Sequence, residues 1–163
     1  AFRGYLASSS GFQSSQFRKV EAILGRRDSR MAGHLPPDVQ SEIKEITSRN
    51  SIWDSFLEYL TKRGYSLPAE VVGRDKSIAY QSSPAVQDVL LHVHQNDPES
   101  AMVSERLVDI DEGIQEWRYR HVKMVERTIG HKMGTGGSSG VDYLASTLFN
   151  PVFKDLWEIR SRF

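Results

Sequence analysis

The 163-residue sequence contains no cysteine, and its charges cancel. A chain without cysteine has no disulfides, no thiolate metal ligands and no thiol nucleophile, which is typical of reducing compartments. Its 21 basic residues are balanced by 21 acidic ones, so the net charge gives no reason to expect nucleic-acid or membrane-surface binding. No apolar run approaches the ~18 residues that a membrane-spanning helix needs. These absences predict a soluble, cytoplasmic protein with no nucleic-acid or membrane partner.

Strand-like alternation, internal repeats and a signal peptide are also missing, whereas apolar residues recur at spacings of three and four. This pattern predicts an all-α protein, and the length suits one domain over residues 1–163. Residues 65–82 show little periodicity and are predicted to be a loop or connector. The first expected helix ends at Gly25, the second opens at Pro36 and Pro37, and the third runs from Ser51 to Gly64. The fourth starts at Ser83 and Pro84, and the fifth runs from Asp97 and Pro98 to near Gly130. A short helix through Val141 and Leu148 comes next, and a last helix follows Pro151.

The long helix carries one histidine, His121, within an apolar stripe. Two interpretations are open: a core histidine satisfied by a neighbour, or an axial ligand of a metal, haem iron included. Trp117 lies one turn earlier and could orient a ligand imidazole. The residues that share this predicted face are Leu107, Ile110, Ile114, Trp117, His121, Met124 and Val125.

Two further stretches could contact a ligand. Residues 134–140 are rich in glycine and serine, so they form either a linker or a loop whose backbone N–H groups and Thr135 hydroxyl face a polar ligand. Their order does not match a phosphate-binding loop. Near the start of the chain, Arg3 stands in an apolar run and is either exposed or suited to bind a carboxylate.

Clusters of carboxylates and histidines favour no metal site. Asp109, Asp111 and Glu112 are interpreted as a salt-bridged or solvated face, because Asp109 and Asp111 diverge on a helix. His92 and His94 also point to nearly opposite sides of their helix and are predicted to be solvated. From the residues alone, the chain is an α-helical domain with a candidate ligand histidine and a polar loop.

Three blocks in this order resemble the signature blocks of the tryptophan 2,3-dioxygenase family. The fourteen-residue step from His121 to Thr135 also agrees with the family. The blocks are Phe-Arg at 2–3 with Leu6, Ser-Ser-Gly-Phe-Gln-Ser-Ser-Gln-Phe-Arg at 9–18, Glu21 and Gly25; Trp-Arg-Tyr-Arg-His at 117–121; and Gly-Thr-Gly-Gly-Ser-Ser-Gly at 134–140.

The resemblance implies a helical bundle of the tryptophan 2,3-dioxygenase type that binds haem b and forms a homotetramer. It implies the oxidation of L-tryptophan by O₂ to N-formylkynurenine. The residues that fall on the family's sites are His121 (proximal haem ligand), Trp117 (proximal pocket), Arg3 and Thr135 (amino-acid end of the substrate), Phe2 and Leu6 (beside the indole), Ser10 and Gly11 (distal face of the haem) and Arg18 (near a haem propionate).

The resemblance begins at Phe2, and the sequence begins at Ala1 without an initiator methionine. Nothing here corresponds to the family's upstream helical segment with its distal histidine. We therefore expect a C-terminal portion that lacks the N-terminal helices, and a haem-free sample if that segment was disordered. Two other functions stay open: a related haem-dependent monooxygenase of tryptophan or indole, and a non-catalytic helical module that binds haem or a partner.

Overall fold

The computed structural model describes residues 15–26, 37–130, 145 and 148–163. All regular secondary structure among these residues is helical, which confirms the predicted all-α class. In chain order the helices are α1 (Ser15–Leu24), α2 (Pro37–Thr47), α3 (Ile52–Lys62), α4 (Ala69–Val72), α5 (Pro84–Asn96), α6 (Pro98–Ile129) and α7 (Lys154–Glu158), followed by a 3-10 helix (Ile159–Arg162).

Helix α3 has the start, the end and the buried face that its sequence predicts. The hydroxyl of Ser51 accepts a hydrogen bond from the Asp54 amide at 3.0 Å, and the Asp54 carboxylate accepts one from the Ser51 amide at 2.9 Å. This reciprocal pair satisfies N–H groups that a helix start leaves unpaired. The helix ends at Lys62, just before Gly64 at φ +95°. Its buried apolar side chains are Trp53, Phe56, Leu57 and Leu60.

Helix α1 ends at Leu24, directly before the predicted stop at Gly25, and packs closely against the start of α3. Gly25 has a φ of +114°, which residues with a side chain rarely adopt. A Cβ atom there would lie 2.9 Å from the hydroxyl oxygen of Ser51 and 3.2 Å from the Cβ atom of Trp53. Backbone conformation and space therefore both require glycine at this joint.

The main hydrophobic core lies between α3, α5, α7 and the first half of α6. The apolar stripe of α5 is buried there, and so is the face of the C-terminal segment predicted to be amphipathic. Residues 65–82 cover this core and contain the one-turn helix α4, which the prediction of a connector did not include. The core residues are Leu24, Trp53, Phe56, Leu57, Leu60, Val71, Val86, Leu90, Val93, Leu107, Val108, Phe153, Leu156 and Ile159.

Helix α6 is the longest in the described part of the chain, with 32 residues and a length of ~48 Å. The Asp97 side chain caps its start by accepting from the Ser100 amide at 3.1 Å, and Gly130 ends it at φ +62°. These limits confirm the prediction. Near its C-terminal end, Val122 and Val125 form a second buried cluster with Ala145 and Leu148. Neither α6 nor any other helix in the described residues is long and apolar enough to cross a membrane.

The buried face of α6 differs from the predicted apolar stripe. Ile110, Trp117 and Met124 were expected to be buried, but each is at least 40% exposed. The face that packs within the chain is rotated around the helix axis from the predicted stripe by about one residue, or ~100°. Two charged residues lie in the middle of this face, which is why apolar spacing alone did not identify it. The buried residues of this face are Leu107, Val108, Asp111, Arg118, Val122 and Val125.

Asp111 is fully buried, so its predicted place on a solvated carboxylate face is wrong. Its carboxylate accepts hydrogen bonds from the backbone amides of Val152 (2.9 Å) and Phe153 (3.1 Å) and from the indole N–H of Trp157 (3.0 Å). Burial is tolerated because three donors replace water. Asp109 is exposed and paired with Arg106, as expected for that cluster.

A second buried carboxylate, Asp155, holds the start of α5. It accepts hydrogen bonds from the hydroxyls of Tyr80 (2.6 Å) and Ser82, from the Ser83 amide (3.3 Å) and from the Gln87 side chain (2.8 Å). Ser83 occupies the predicted N-cap position, but its side chain makes no capping hydrogen bond. The remote Asp155 therefore fixes this helix start to the C-terminal segment.

Candidate functional site

The two sequence-predicted site residues with described side chains, Trp117 and His121, lie together on α6. Their rings stack with centroids 5.3 Å apart and an angle of 9° between the planes. A one-turn separation on a helix allows this contact. The Nε2 atom of His121 is buried, although the residue as a whole is partly exposed. The indole therefore restricts the rotation of the imidazole.

Apolar side chains extend this pair along the helix in both directions. Ile110 and Ile114 precede it and Met124 follows it, at spacings of three and four residues. We call Ile110, Ile114, Trp117, His121 and Met124 the open stripe, because the described residues leave Ile110, Trp117 and Met124 substantially exposed. Contiguous exposed apolar surface of this kind is typical of ligand or protein contact sites.

The donor set at the open stripe is one imidazole. No group of three histidine, aspartate or glutamate residues within the described ranges could hold a metal ion. A metal bound only by protein side chains needs three or four ligands, whereas a haem iron brings four nitrogens of its own and needs one axial ligand. One histidine beside a flat, apolar face fits a haem better than a bare metal ion.

Arg118, between the two stacked residues in sequence, points into the protein. Its guanidinium is 5% exposed, and its two terminal nitrogens donate to the Glu21 carboxylate at 3.1 Å and to the Asn150 backbone carbonyl at 2.9 Å. Arg26 lies 3.4 Å from the same carboxylate oxygen. Burial and the nearby Arg26 cation lower the pKa of Arg118 below its ordinary range, while Glu21 opposes this shift.

Sequence reasoning assigned Arg118 no role and placed Asp111 on a salt-bridged or solvated face. The available signal was their spacing: the two are seven residues apart, on one face with Leu107, Val122 and Val125. A charged residue at such a position indicates a buried ionic contact, but the sequence does not identify its partner.

The other predicted site residues lie outside the described residues. The structure therefore does not test whether these residues lie close to His121. Arg18 is in α1, but only its backbone is described. The predicted residues without a described position are Phe2, Arg3, Leu6, Ser10, Gly11 and Thr135, together with Val141 and Leu144 of the expected short helix.

Comparisons with known proteins agree with the three sequence blocks. The family model described as tryptophan 2,3-dioxygenase matches residues 91–163. The chain is 55% identical, over 98% of its length, to the tryptophan 2,3-dioxygenase of Anaeromyxobacter dehalogenans, and 52% identical, over 99%, to that of Herpetosiphon aurantiacus. It spans 61% and 62% of these relatives' lengths. The 38% identical enzyme of Serratia proteamaculans is likewise matched over 98% of the chain. The chain is thus similar to tryptophan 2,3-dioxygenases along nearly its whole length.

Proposed function

We propose that the protein containing this chain is a haem-dependent dioxygenase that converts L-tryptophan and O₂ into N-formylkynurenine. The observation that carries the proposal is the stacked Trp117–His121 pair on the open stripe, with the Nε2 atom of His121 buried. The activity is proposed for the whole protein, because the chain spans about three-fifths of its curated relatives.

The haem would be held by His121, whose neutral imidazole donates a nitrogen lone pair to the iron. Trp117 would keep the ring in one orientation, since a stacked neighbour 5.3 Å away blocks its rotation. When bound, the haem supplies an iron centre for O₂ chemistry. The apolar residues of the open stripe would cover the proximal side of the macrocycle and exclude water.

The substrate would be held by residues of the first and third sequence blocks. Arg3 would bind the carboxylate of L-tryptophan through a bidentate ion pair, which fixes direction as well as position. Thr135 would contact the same amino-acid end of the substrate. The remaining proposed contacts are Phe2 and Leu6 beside the indole, Ser10 and Gly11 on the distal face of the haem, and Arg18 near a propionate.

Catalysis would depend mainly on proximity. Both atoms of O₂ enter the product, and the indole C2–C3 bond breaks, so the equation balances without a further reductant. Fixing the amino-acid end holds the indole ring close to O₂, and such orientation accounts for a large part of many rate enhancements. No general acid or base of this chain is assigned a step.

The organisation around this site is also part of the proposal. We expect residues 1–163 to form one domain, the full-length protein to be a cytoplasmic homotetramer, and the stripe to be covered in the assembled protein. The alternatives are a monooxygenase of the same substrates and a non-catalytic helical module that binds haem or a partner.

The test uses the full-length protein reconstituted with haem, with His121→Ala beside the parent. We expect a Soret band in the parent that shifts on reduction and with CO, and that is lost or altered in His121→Ala. His94→Ala is the matched control, because His94 stacks on Phe163 with centroids 4.1 Å apart, away from the open stripe. Absence of haem uptake by the parent would reject the proposal.

Turnover under ¹⁸O₂ distinguishes the enzyme classes. The dioxygenase gives N-formylkynurenine with two labelled oxygens, a monooxygenase gives a product with one, and the non-catalytic module gives neither. Mass spectrometry of the product decides among them.

A further inference from the structure

Arg118 is a buried cation within a run of otherwise exposed side chains. Trp117, Tyr119 and Arg120 on either side are all exposed, whereas Arg118 is buried on the face that packs within the chain. Arginine is almost never fully buried unless it is paired. The contacts that compensate its burial therefore show what the residue does.

Those contacts join three parts of the chain. One terminal nitrogen binds Glu21 of α1, 97 residues away in sequence, and the other binds the carbonyl of Asn150, 32 residues away in the other direction. Glu21 is itself buried. Arg26 repeats both contacts more loosely, at 3.4 Å to each acceptor. A single guanidinium thus holds α1 and the segment at Asn150 onto α6.

Asp111 extends this attachment along the same helix face. It lies seven residues, or ~10.5 Å, before Arg118 and binds the amides of Val152 and Phe153. The segment from Asn150 to Phe153 is therefore fixed to α6 at two points. The chain leaves α6 at Gly130 and is held to the same helix again at Asn150 and Val152.

Each of the three joined parts carries or follows one of the three sequence blocks. Helix α1 continues the block that begins at Phe2, α6 carries His121, and Asn150 follows the block at 134–140. We propose that Arg118 is a positioning residue for substrate binding, because it fixes α1 and the segment at Asn150 relative to the helix that carries His121. This inference rests on the proposed function.

Stability alone is a poor explanation for this arrangement. A buried ion pair costs about as much in desolvation as it returns in attraction, and apolar replacements are often neutral or stabilising. What a guanidinium adds is geometry, because its fork holds two acceptors at fixed relative positions, which a lysine ammonium on a flexible stem does not. A shift of ~1 Å in a substrate-binding segment is enough to lower turnover about a hundredfold.

The test compares Arg118→Lys with Arg120→Lys in the full-length, haem-loaded protein. Arg120 is the matched control, because it is two residues away, 76% exposed and paired only with Glu116 on the surface in the contacts described. Three quantities are measured: the Soret spectra, the thermal midpoint and the dissociation constant of L-tryptophan from equilibrium dialysis. For Arg118→Lys we expect parental Soret spectra and a dissociation constant raised about tenfold. For Arg120→Lys we expect parental values throughout.

A folded Arg118→Lys protein that binds L-tryptophan like the parent would overturn the inference. If Arg118→Lys does not fold, Glu21→Gln takes its place, since it keeps the side-chain volume and an oxygen acceptor but removes the charge. We then expect the dissociation constant to rise about threefold with unchanged Soret spectra. If neither variant folds, Arg118 is required for folding and the positioning role is rejected.

The double variant tests whether Glu21 is the contact through which Arg118 acts. Both single changes break the same ion pair, so the loss in the double variant should be no larger than the greater single loss. A loss equal to the product of the two would overturn the assigned contact. A parent that binds haem but not L-tryptophan would instead reject the proposed function, and this inference with it.

Discussion

At the scale of single residues, the helix that carries His121 uses two faces, about 100° apart, differently. The stacked pair of Trp117 and His121 lies on the open stripe, and the charged residues Asp111 and Arg118 lie on the buried face. Each buried charge is compensated by backbone groups or an opposite charge of a distant segment. Polar contacts thus attach the surrounding segments, while apolar groups remain available for a ligand.

Asp111→Ala should destabilise the protein by about 3 kcal/mol, because it leaves the buried donors of Val152, Phe153 and Trp157 without their acceptor. The free energy of unfolding from urea titration followed by circular dichroism measures this loss. Trp157 fluorescence should shift in the same variant, since its indole N–H loses its partner.

The control for this prediction is Asp109→Ala on the same helix. Asp109 is exposed and paired with Arg106, also exposed, so its removal should change the free energy of unfolding by less than about 1 kcal/mol. Equal losses for the two variants would contradict the role of Asp111 as the anchor of the C-terminal segment.

At the scale of helices, Asp97 joins α5 to α6 and both to the end of α3. Its carboxylate accepts from the Ser100 amide and hydroxyl, from Arg63 at 3.0 Å and from the Tyr65 hydroxyl at 3.2 Å. The two bonds from Ser100, followed by those from Arg63 and Tyr65, hold the pKa of Asp97 far below its ordinary value of 3.8. The junction is therefore strongest when this carboxylate is charged.

Acid should weaken this junction in the parent but not in Asp97→Asn. A carboxylate with a lowered folded-state pKa contributes stability above its unfolded pKa, and this contribution is lost as the pH falls through the folded pKa. The parent should therefore have the higher thermal midpoint at pH 7, and the gap should narrow from about pH 5 to about pH 2.

Thermal midpoints from circular dichroism at several pH values measure the effect. Asp88→Asn is the control, because Asp88 is exposed and pairs only with Arg162 at the surface among the contacts described. A gap between the parent and Asp97→Asn that stays constant over this range would contradict the prediction.

At the scale of the whole molecule, the open stripe is an apolar surface that the described residues leave partly uncovered. Trp117 is 45% exposed there, which is unusual for a tryptophan amid apolar neighbours. The chain spans 61% of its first curated relative, so these relatives contain chain beyond the matched part. Haem, further chain and partner subunits are the groups that we expect to cover the stripe.

We expect the full-length protein to be a homo-oligomer, because exposed apolar surface favours burial, and the family resemblance implies a homotetramer. Light scattering coupled to size-exclusion chromatography should give a mass four times that of one chain. The same measurement on the haem-free protein shows whether haem binding contributes to assembly. A monomer under both conditions would contradict the prediction.

Much of the secondary structure could be predicted because its signals are local. Ser51 with Asp54, Asp97 with Pro98, and the glycines at 25, 64 and 130 mark helix ends within a few residues of themselves. Their capping contacts and backbone conformations need no distant partner. The stacked site pair was also accessible, because Trp117 and His121 are one helical turn apart.

Tertiary structure decided which side of the long helix is buried and what its charged residues do. The sequence by itself determined an all-α chain, the candidate ligand His121 and the resemblance to tryptophan 2,3-dioxygenases. Spacing could not distinguish the open stripe from the buried face, since both contain apolar residues. The partners of Asp111 and Arg118 lie 32 to 97 residues away, so their contacts exist only after the helices have packed. A charge is buried where a distant group compensates it, and local sequence carries no information about that group.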